Sequence, residues 1–204
     1  MSVRGTPMTL QLRCACAQVK GTVLPARAYL RATCYCSDCQ AYARFLGRPE
    51  VLDAHGGTDI VAMAPSGVRI TAGQEHLACL SLSRKGLLRW YASCCRAPLG
   101  NTPRDASVFY VGMVTSSIDA APEALDASFG RRDRVAINTD SATGQVPSTP
   151  LAFVTGGLRI FANILGARLR REEPTLFFTA DGQPIRPVQV LDPQQRAALG
   201  LEAA

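Results

Sequence analysis

Eight cysteines constrain this 204-residue chain more than any other feature, because seven of them fall in close groups. Zinc holds thiolate sulfurs at about 2.3 Å, so tetrahedral ligands lie within roughly 4 Å of one another and come in close sequence pairs that a turn can converge. Cys34-Tyr35-Cys36-Ser37-Asp38-Cys39 offers three thiols within six residues. Three thiolates on one metal leave a fourth corner open, as catalytic rather than structural zinc sites do. Cys14-Ala15-Cys16 and Cys94-Cys95 are two further groups, and together they could make a four-thiolate structural site clipping distant strands. Adjacent strand residues point to opposite faces, so Cys94 and Cys95 can both ligate only if the chain turns there. Cys95 is the firmer ligand of the two, and Pro98 and Gly100 make a turn plausible. Cys79 stands alone and reads as a buried strand residue. Core cysteines, a disulfide framework and an iron–sulfur cluster are the competing readings.

The compartment decides between metal and disulfide. Residues 1–12 hold no apolar stretch of signal-peptide length, and no run approaches the ~18 apolar residues of a transmembrane helix. The expected location is therefore a reducing cytoplasm, where such cysteine spacing favours metal. With 47% hydrophobic and 19% charged residues, a core is affordable without disulfides. The net charge of +6 is nearly all arginine, the only lysines being Lys20 and Lys85. No dense basic run interleaves with aromatics, so no nucleic-acid partner is expected.

Residues 10–16, 19–24, 28–33, 59–63, 68–71, 77–82, 87–92 and 107–114 read as short strands separated by glycine, proline and serine turns. A short helix begins at the densest cysteine group, with Ser37 as its cap and Gln40 completing a capping box. That puts Cys39 in the first turn, where free amides and the helix dipole favour thiolate. Residues 119–150 read as a long connection, with Arg131-Arg132-Asp133-Arg134 as a solvated turn. Thr149-Pro150 then opens a helix with Leu151, Val154, Leu158, Phe161, Leu165 and Leu169 on one face and Pro174 as its stop. Gly156-Gly157 could delay its start. The apolar face is expected to pack on the β domain or on a second subunit, with membrane-surface attachment as the alternative. Asp181-Gly182 signals a hairpin, and Asp192-Pro193 opens a last short helix. The expected fold is mainly β: an antiparallel sandwich-like zinc domain over residues 9–118, with a short helix at the metal cluster. Residues 119–204 follow as connection, amphipathic helix, hairpin and tail.

Cys14-x-Cys16, Cys34-x-Cys36-x-x-Cys39, the run Trp90-Tyr91-Ala92-Ser93-Cys94-Cys95-Arg96-Ala97-Pro98-Leu99 and Phe109-Tyr110-Val111-Gly112 appear in that order. Over residues 9–118 this pattern resembles the glutathione-dependent formaldehyde-activating enzyme family, which includes centromere protein V. The resemblance implies a mainly β fold with two zinc sites. Cys34, Cys36 and Cys39 would be the catalytic zinc ligands, and Cys14, Cys16 and Cys95 the structural ones. The implied chemistry adds the glutathione thiol to formaldehyde. The sequence departs from the pattern at Ala92, where a ligand cysteine is usual, and at Arg96 and Ala17, where glycines are usual. Cys94 could take the place of the missing ligand, or that site could be three-coordinate or empty.

The leading expectation is thus a carbon–sulfur lyase-like enzyme joining a small thiol and an aldehyde at a zinc held by Cys34, Cys36 and Cys39. A second, structural zinc would have Cys14, Cys16, Cys95 and Cys94 to draw on. Asp38 could accept a proton. The alternatives are a zinc-stabilised binding module without turnover and a thiol redox protein using Cys94-Cys95. No membrane partner is expected, and the C-terminal helix leaves room for a homo-oligomer.

Overall fold

Apolar and β-branched runs between glycine and proline turns form twelve strands among the described residues, which are 8–170, 172 and 176–201 of the computed structural model. They are β1 (Leu10–Arg13), β2 (Lys20–Val23), β3 (Ala28–Cys34), β4 (Thr58–Met63), β5 (Val68–Ala72) and β6 (Leu77–Ser81). The remainder are β7 (Leu88–Ala92), β8 (Ala97–Thr102), β9 (Val111–Val114), β10 (Ile118–Asp119), β11 (Ala136–Ile137) and β12 (Val188–Val190). Four helices join them: α1 (Ser37–Leu46), α2 (Pro122–Phe129), α3 (Pro150–Leu169) and α4 (Pro193–Ala198).

The strands make two sheets, one ordered β10-β1-β2-β5 and one ordered β11-β3-β4-β9-β8-β7-β6-β12. A single apolar cluster draws on both, with Leu12, Val23 and Ile70 from the small sheet and Val61, Met63, Trp90 and Met113 from the large one. Trp90 is fully buried, stacks on Phe177 at 4.7 Å and donates Nε1–H to Thr102. The fold is therefore mainly β with a helix at the cysteine cluster and a helix near the C-terminus, as the sequence implies.

Several local expectations are corrected. Pro98 and Gly100 lie inside β8 rather than in a turn; a register shift opposite Pro98 accommodates the missing N–H. A Cβ on Gly100 would sit 2.8 Å from the Gly112 carbonyl, so the close approach of β9 requires glycine there. The connection after residue 119 holds α2 and β11, and β11 adds in parallel beside β3. These were illegible because two- and eight-residue elements carry little periodicity. The segment around Asp181-Gly182 turns as expected, but its following strand, β12, pairs in parallel with β6. Asp192 caps α4 with a full capping box to Gln195. Pro174, read as the stop of the long helix, lies outside the described residues.

Helix α3 runs unbroken through Gly156-Gly157. It rests on β3 by its small-residue side: Gly156 is buried, and a Cβ there would meet Leu30 at 2.7 Å. Ile160 and Ile164 pack beside it, whereas Leu151, Val154, Leu158, Phe161, Leu165 and Leu169 are exposed. The stripe expected to cover the β domain thus faces away from it. By length and a mean hydropathy of 1.3 this helix also meets the requirement for crossing a bilayer, which corrects the reading that no segment does.

Candidate metal centres

Two groups of cysteines come together, at opposite ends of α1. In the first, Cys14 closes β1 and Cys16 lies in the tight turn to β2, while Cys94 and Cys95 lie in the turn between β7 and β8. All four sulfurs are within 4.8 Å of one another. Individual separations are 3.6 Å for Cys14–Cys16, 3.8 Å for Cys14–Cys94, 3.3 Å for Cys16–Cys94 and 4.0 Å for Cys94–Cys95. Tetrahedral bonds of about 2.3 Å place sulfurs about 3.8 Å apart, so the donor set fits one metal ion. Because the chain turns at residues 93–96, the adjacent Cys94 and Cys95 both bring their sulfurs to this group, although Cys94 itself is exposed. Ala92, at the end of β7, is a fully buried core residue and takes no part in the group. Ala17 and Arg96 keep left-handed backbones, with φ of 59° and 57°, although neither is glycine. Arg96 offsets its strain by donating to the terminal carbonyls of α1, Leu46 at 3.1 Å and Phe45, and by lying over the Phe45 ring.

The second group sits where β3 ends and α1 begins. Cys34, Cys36 and Cys39 place three sulfurs within 4.8 Å, with Cys34 and Cys36 3.3 Å apart. The helix cap is Cys36 itself, whose sulfur accepts from the Cys39 amide at 3.4 Å. This displaces the expected Ser37–Gln40 capping box; Gln40 instead donates to the Tyr35 and Ser141 carbonyls. Each sulfur receives one N–H. Asn138, just after β11, donates to Cys34 at 3.5 Å, and Arg89 on β7 donates to Cys39 at 3.8 Å. The Arg89 guanidinium is buried, lies over the Tyr42 ring and pairs with Asp38 at 3.3 Å. Asp38 is therefore engaged in an ion pair, not poised on its own as a proton acceptor.

The thiols of this group are held protonated in the absence of a cation. The bond to Cys34 and burial push Cys39 up to about 11. For Cys36 the bond to Cys34 favours thiolate, but Cys39 and burial outweigh it, again giving about 11. The expectation that the helix start lowers Cys39 is thus not met. Cys95 differs: burial opposes its thiolate, but the amides of Cys16 and Ala97 and the neighbouring thiols overcome this and bring it down to about 7. Cys79 is buried on β6, and burial raises it to about 12. None of the eight cysteines forms a disulfide.

A small pocket of about 10 Å³ lies behind Cys39, lined by Thr58, Ile60, Arg89 and Asn101 among others. The Thr58 hydroxyl is buried there with no hydrogen-bond partner. Sequence reasoning missed Arg89, Asn138, Thr58 and Asn101. An arginine inside the apolar run Leu87-Leu88-Arg89-Trp90-Tyr91 was a usable signal; Asn138, 104 residues from Cys34, offered none.

A family model described as "Family of unknown function (DUF6151)" matches residues 7–175. No curated protein matches the chain. A crystal structure of a Rhodobacter sphaeroides protein, solved as a Northeast Structural Genomics target, is similar at 17% identity over 57% of this chain and 94% of that one, with a TM-score of 0.39.

Proposed function

This chain belongs to the DUF6151 family of unknown function, and from that premise we propose that it is a zinc-binding protein with one closed site and one open site. The observation that carries this reading is the difference in donor number. Cys14, Cys16, Cys94 and Cys95 supply four thiols, whereas Cys34, Cys36 and Cys39 supply three. Soft thiolate sets select zinc, copper(I) or iron–sulfur clusters, and zinc is the tetrahedral ion without redox change. The closed site staples the β1–β2 turn to the β7–β8 turn and so stabilises the fold. The open site leaves one position for an exchangeable ligand, and the three N–H donors moderate the charge of its thiolates. A binding module that captures a small thiol, without turnover, is the simplest function of such a site.

The second reading is addition of that thiol to formaldehyde or another small aldehyde, as the resemblance to the glutathione-dependent formaldehyde-activating family implies. The unpartnered Thr58 hydroxyl beside Cys39 favours it. A new S–C bond would form as the carbonyl π bond opens, the thiol proton would pass to the carbonyl oxygen, and nothing would be oxidised or reduced. Zinc, when bound, supplies the positive charge that keeps a thiol ionised at neutral pH. Thr58 and Asn101 would hydrogen-bond the oxygen, and Arg89 would hold the negative charge of the cysteine set.

X-ray absorption of the zinc-loaded protein separates open from closed. A mean of fewer than four sulfurs per zinc at a stoichiometry of two is expected; four sulfurs at every zinc would overturn the open site. NMR exchange between formaldehyde and glutathione then separates the readings: acceleration that requires zinc and is lost in Cys36→Ser establishes the enzyme, and none leaves the module.

A second copy of the chain is our reading of what covers the outward face of α3. Leu151, Leu158, Phe161 and Leu169 are 65–77% exposed. With their neighbours they present roughly 800 Å² of apolar surface, the size each partner buries in a standard interface. We assign the chain to a reducing cytoplasm, where its thiols remain available for metal.

A further inference from the structure

Residues on one face of the large sheet can be read from its register. Cys34, Ala32 and Leu30 alternate along β3 and so share a face. Their partners on β4 are Thr58, Ile60 and Ala62, and those of Ile60 and Ala62 on β9 are Val114 and Gly112. Helix α1 covers the Cys34 end of this face and α3 the other end. Small residues at Ala32 and Ala62 leave space under α3, a groove of about 100 Å³ with almost wholly apolar walls, the Tyr110 ring among them. Ile60 and Ile137 line the groove and also pack against Cys34 and Cys39. Its floor at Ala32 begins two residues, about 7 Å, from Cys34.

Gly157 forms part of the roof. A Cβ there would meet nothing within 4 Å, although the neighbouring Gly156 is already in contact with Leu30. Gly157 is exposed, so the roof is open at this position and a long apolar side chain there has room to fold over the groove.

We propose that this groove receives the alkyl chain of an aliphatic thiol whose sulfur reaches the open position at Cys34, Cys36 and Cys39. The inference rests on the open-site reading and adds a substrate class to it. An apolar cavity of ~150 Å³ takes benzene, so a groove of this size takes a chain of about four to five carbons. Each buried methylene then tightens binding about fourfold.

The test is a titration of zinc-loaded protein with straight-chain thiols from ethanethiol to heptane-1-thiol, read on the methyl signals of Ile60, Ile137 and Ile160 by 13C NMR. Dissociation constants should fall about fourfold per carbon up to pentane-1-thiol and then level off. In Gly157→Leu the gain per carbon should vanish, while the melting temperature stays at or above that of the parent because leucine favours helix. Ethanethiol, too short to fill the groove, reports on the open site alone. Should ethanethiol fail to bind, the open-site reading fails, and pentan-1-ol, which carries no thiol, still probes the groove. Shifts of the three isoleucines by pentan-1-ol that Gly157→Leu abolishes would support the groove in that event. Affinities independent of chain length, or unchanged in Gly157→Leu, would overturn it, as would the absence of isoleucine shifts with both pentan-1-ol and pentane-1-thiol.

Discussion

Arg89→Met removes a buried guanidinium that supports the open site while nearly keeping the volume of its stem. In the metal-loaded state three thiolates and one divalent ion leave a net charge of −1, and Arg89 donates to Cys39 at 3.8 Å. Unit charges 4 Å apart interact by about 4 kcal/mol at an effective dielectric of 20. That is an upper limit, because Asp38 engages the same guanidinium at 3.3 Å. A hydrogen bond to a charged group nets about 1.5–3 kcal/mol. The expected loss of zinc affinity at the open site is therefore about 10- to 100-fold, in the range seen for groups that orient metal ligands. Competition against a chromophoric chelator should show two binding steps, of which Arg89→Met moves one. Arg89→Lys, which keeps the charge and loses the planar fork, should fall between. In excess chelator the sign should change. The Cys36 and Cys39 thiols are then neutral, and the remaining partner, Asp38, is half exposed and stays hydrated, so losing the buried cation leaves no buried charge uncompensated. The urea midpoint of Arg89→Met should thus equal or exceed that of the parent without metal and fall below it with zinc. Unchanged zinc affinity, or the same loss of stability with and without zinc, would refute this account of Arg89.

Other outcomes follow from the same geometry. Cys95→Ser should reduce bound zinc from two per chain to one and lower the melting temperature, whereas Cys36→Ser should spare the zinc at the four-thiol site; stoichiometry by mass spectrometry under native conditions checks both. Ala17→Gly should stabilise by about 1 kcal/mol by relieving a left-handed alanine, measured by urea unfolding. Arg96→Gly should not stabilise, because it forfeits the two carbonyl contacts at the end of α1. In chelator, stability should fall as pH rises from 9 toward 11, since raised thiols at Cys36 and Cys39 ionise first in the unfolded chain. The depressed Cys95 acts oppositely: its contribution is present above 9 and is lost as pH falls through about 7. Urea midpoints across pH 6–11 should therefore peak near pH 9, and a flat profile would contradict both shifts. Leu158→Glu should convert a dimer to a monomer in light scattering; a parent that is monomeric at high concentration, or that sediments with lipid vesicles instead, would refute pairing through α3.

The sequence by itself determined strands β1–β7 and β9 and the local group at Cys34, Cys36 and Cys39. Strand formers between turn formers dictate short antiparallel pairing, and ligands two or three residues apart converge wherever the chain bends. Residues 34–39 are legible for that reason, since their geometry is local. The capping box was misread because a cysteine sulfur can cap a helix as a serine oxygen does, and only the surrounding contacts choose between them. Whether Cys94 joins Cys95 turned on a four-residue turn, whose dihedrals no periodicity encodes. Arg89 on β7 and Asn138 just after β11 reach the sulfurs from 50 and 104 residues away, the first because α1 packs over the large sheet and the second because β11 pairs with β3. The tertiary structure likewise turned α3 on its axis. Its outward leucines and its inward glycine and isoleucines are both apolar, so hydrophobicity could not select the packed face, and the close fit of Gly156 on Leu30 did.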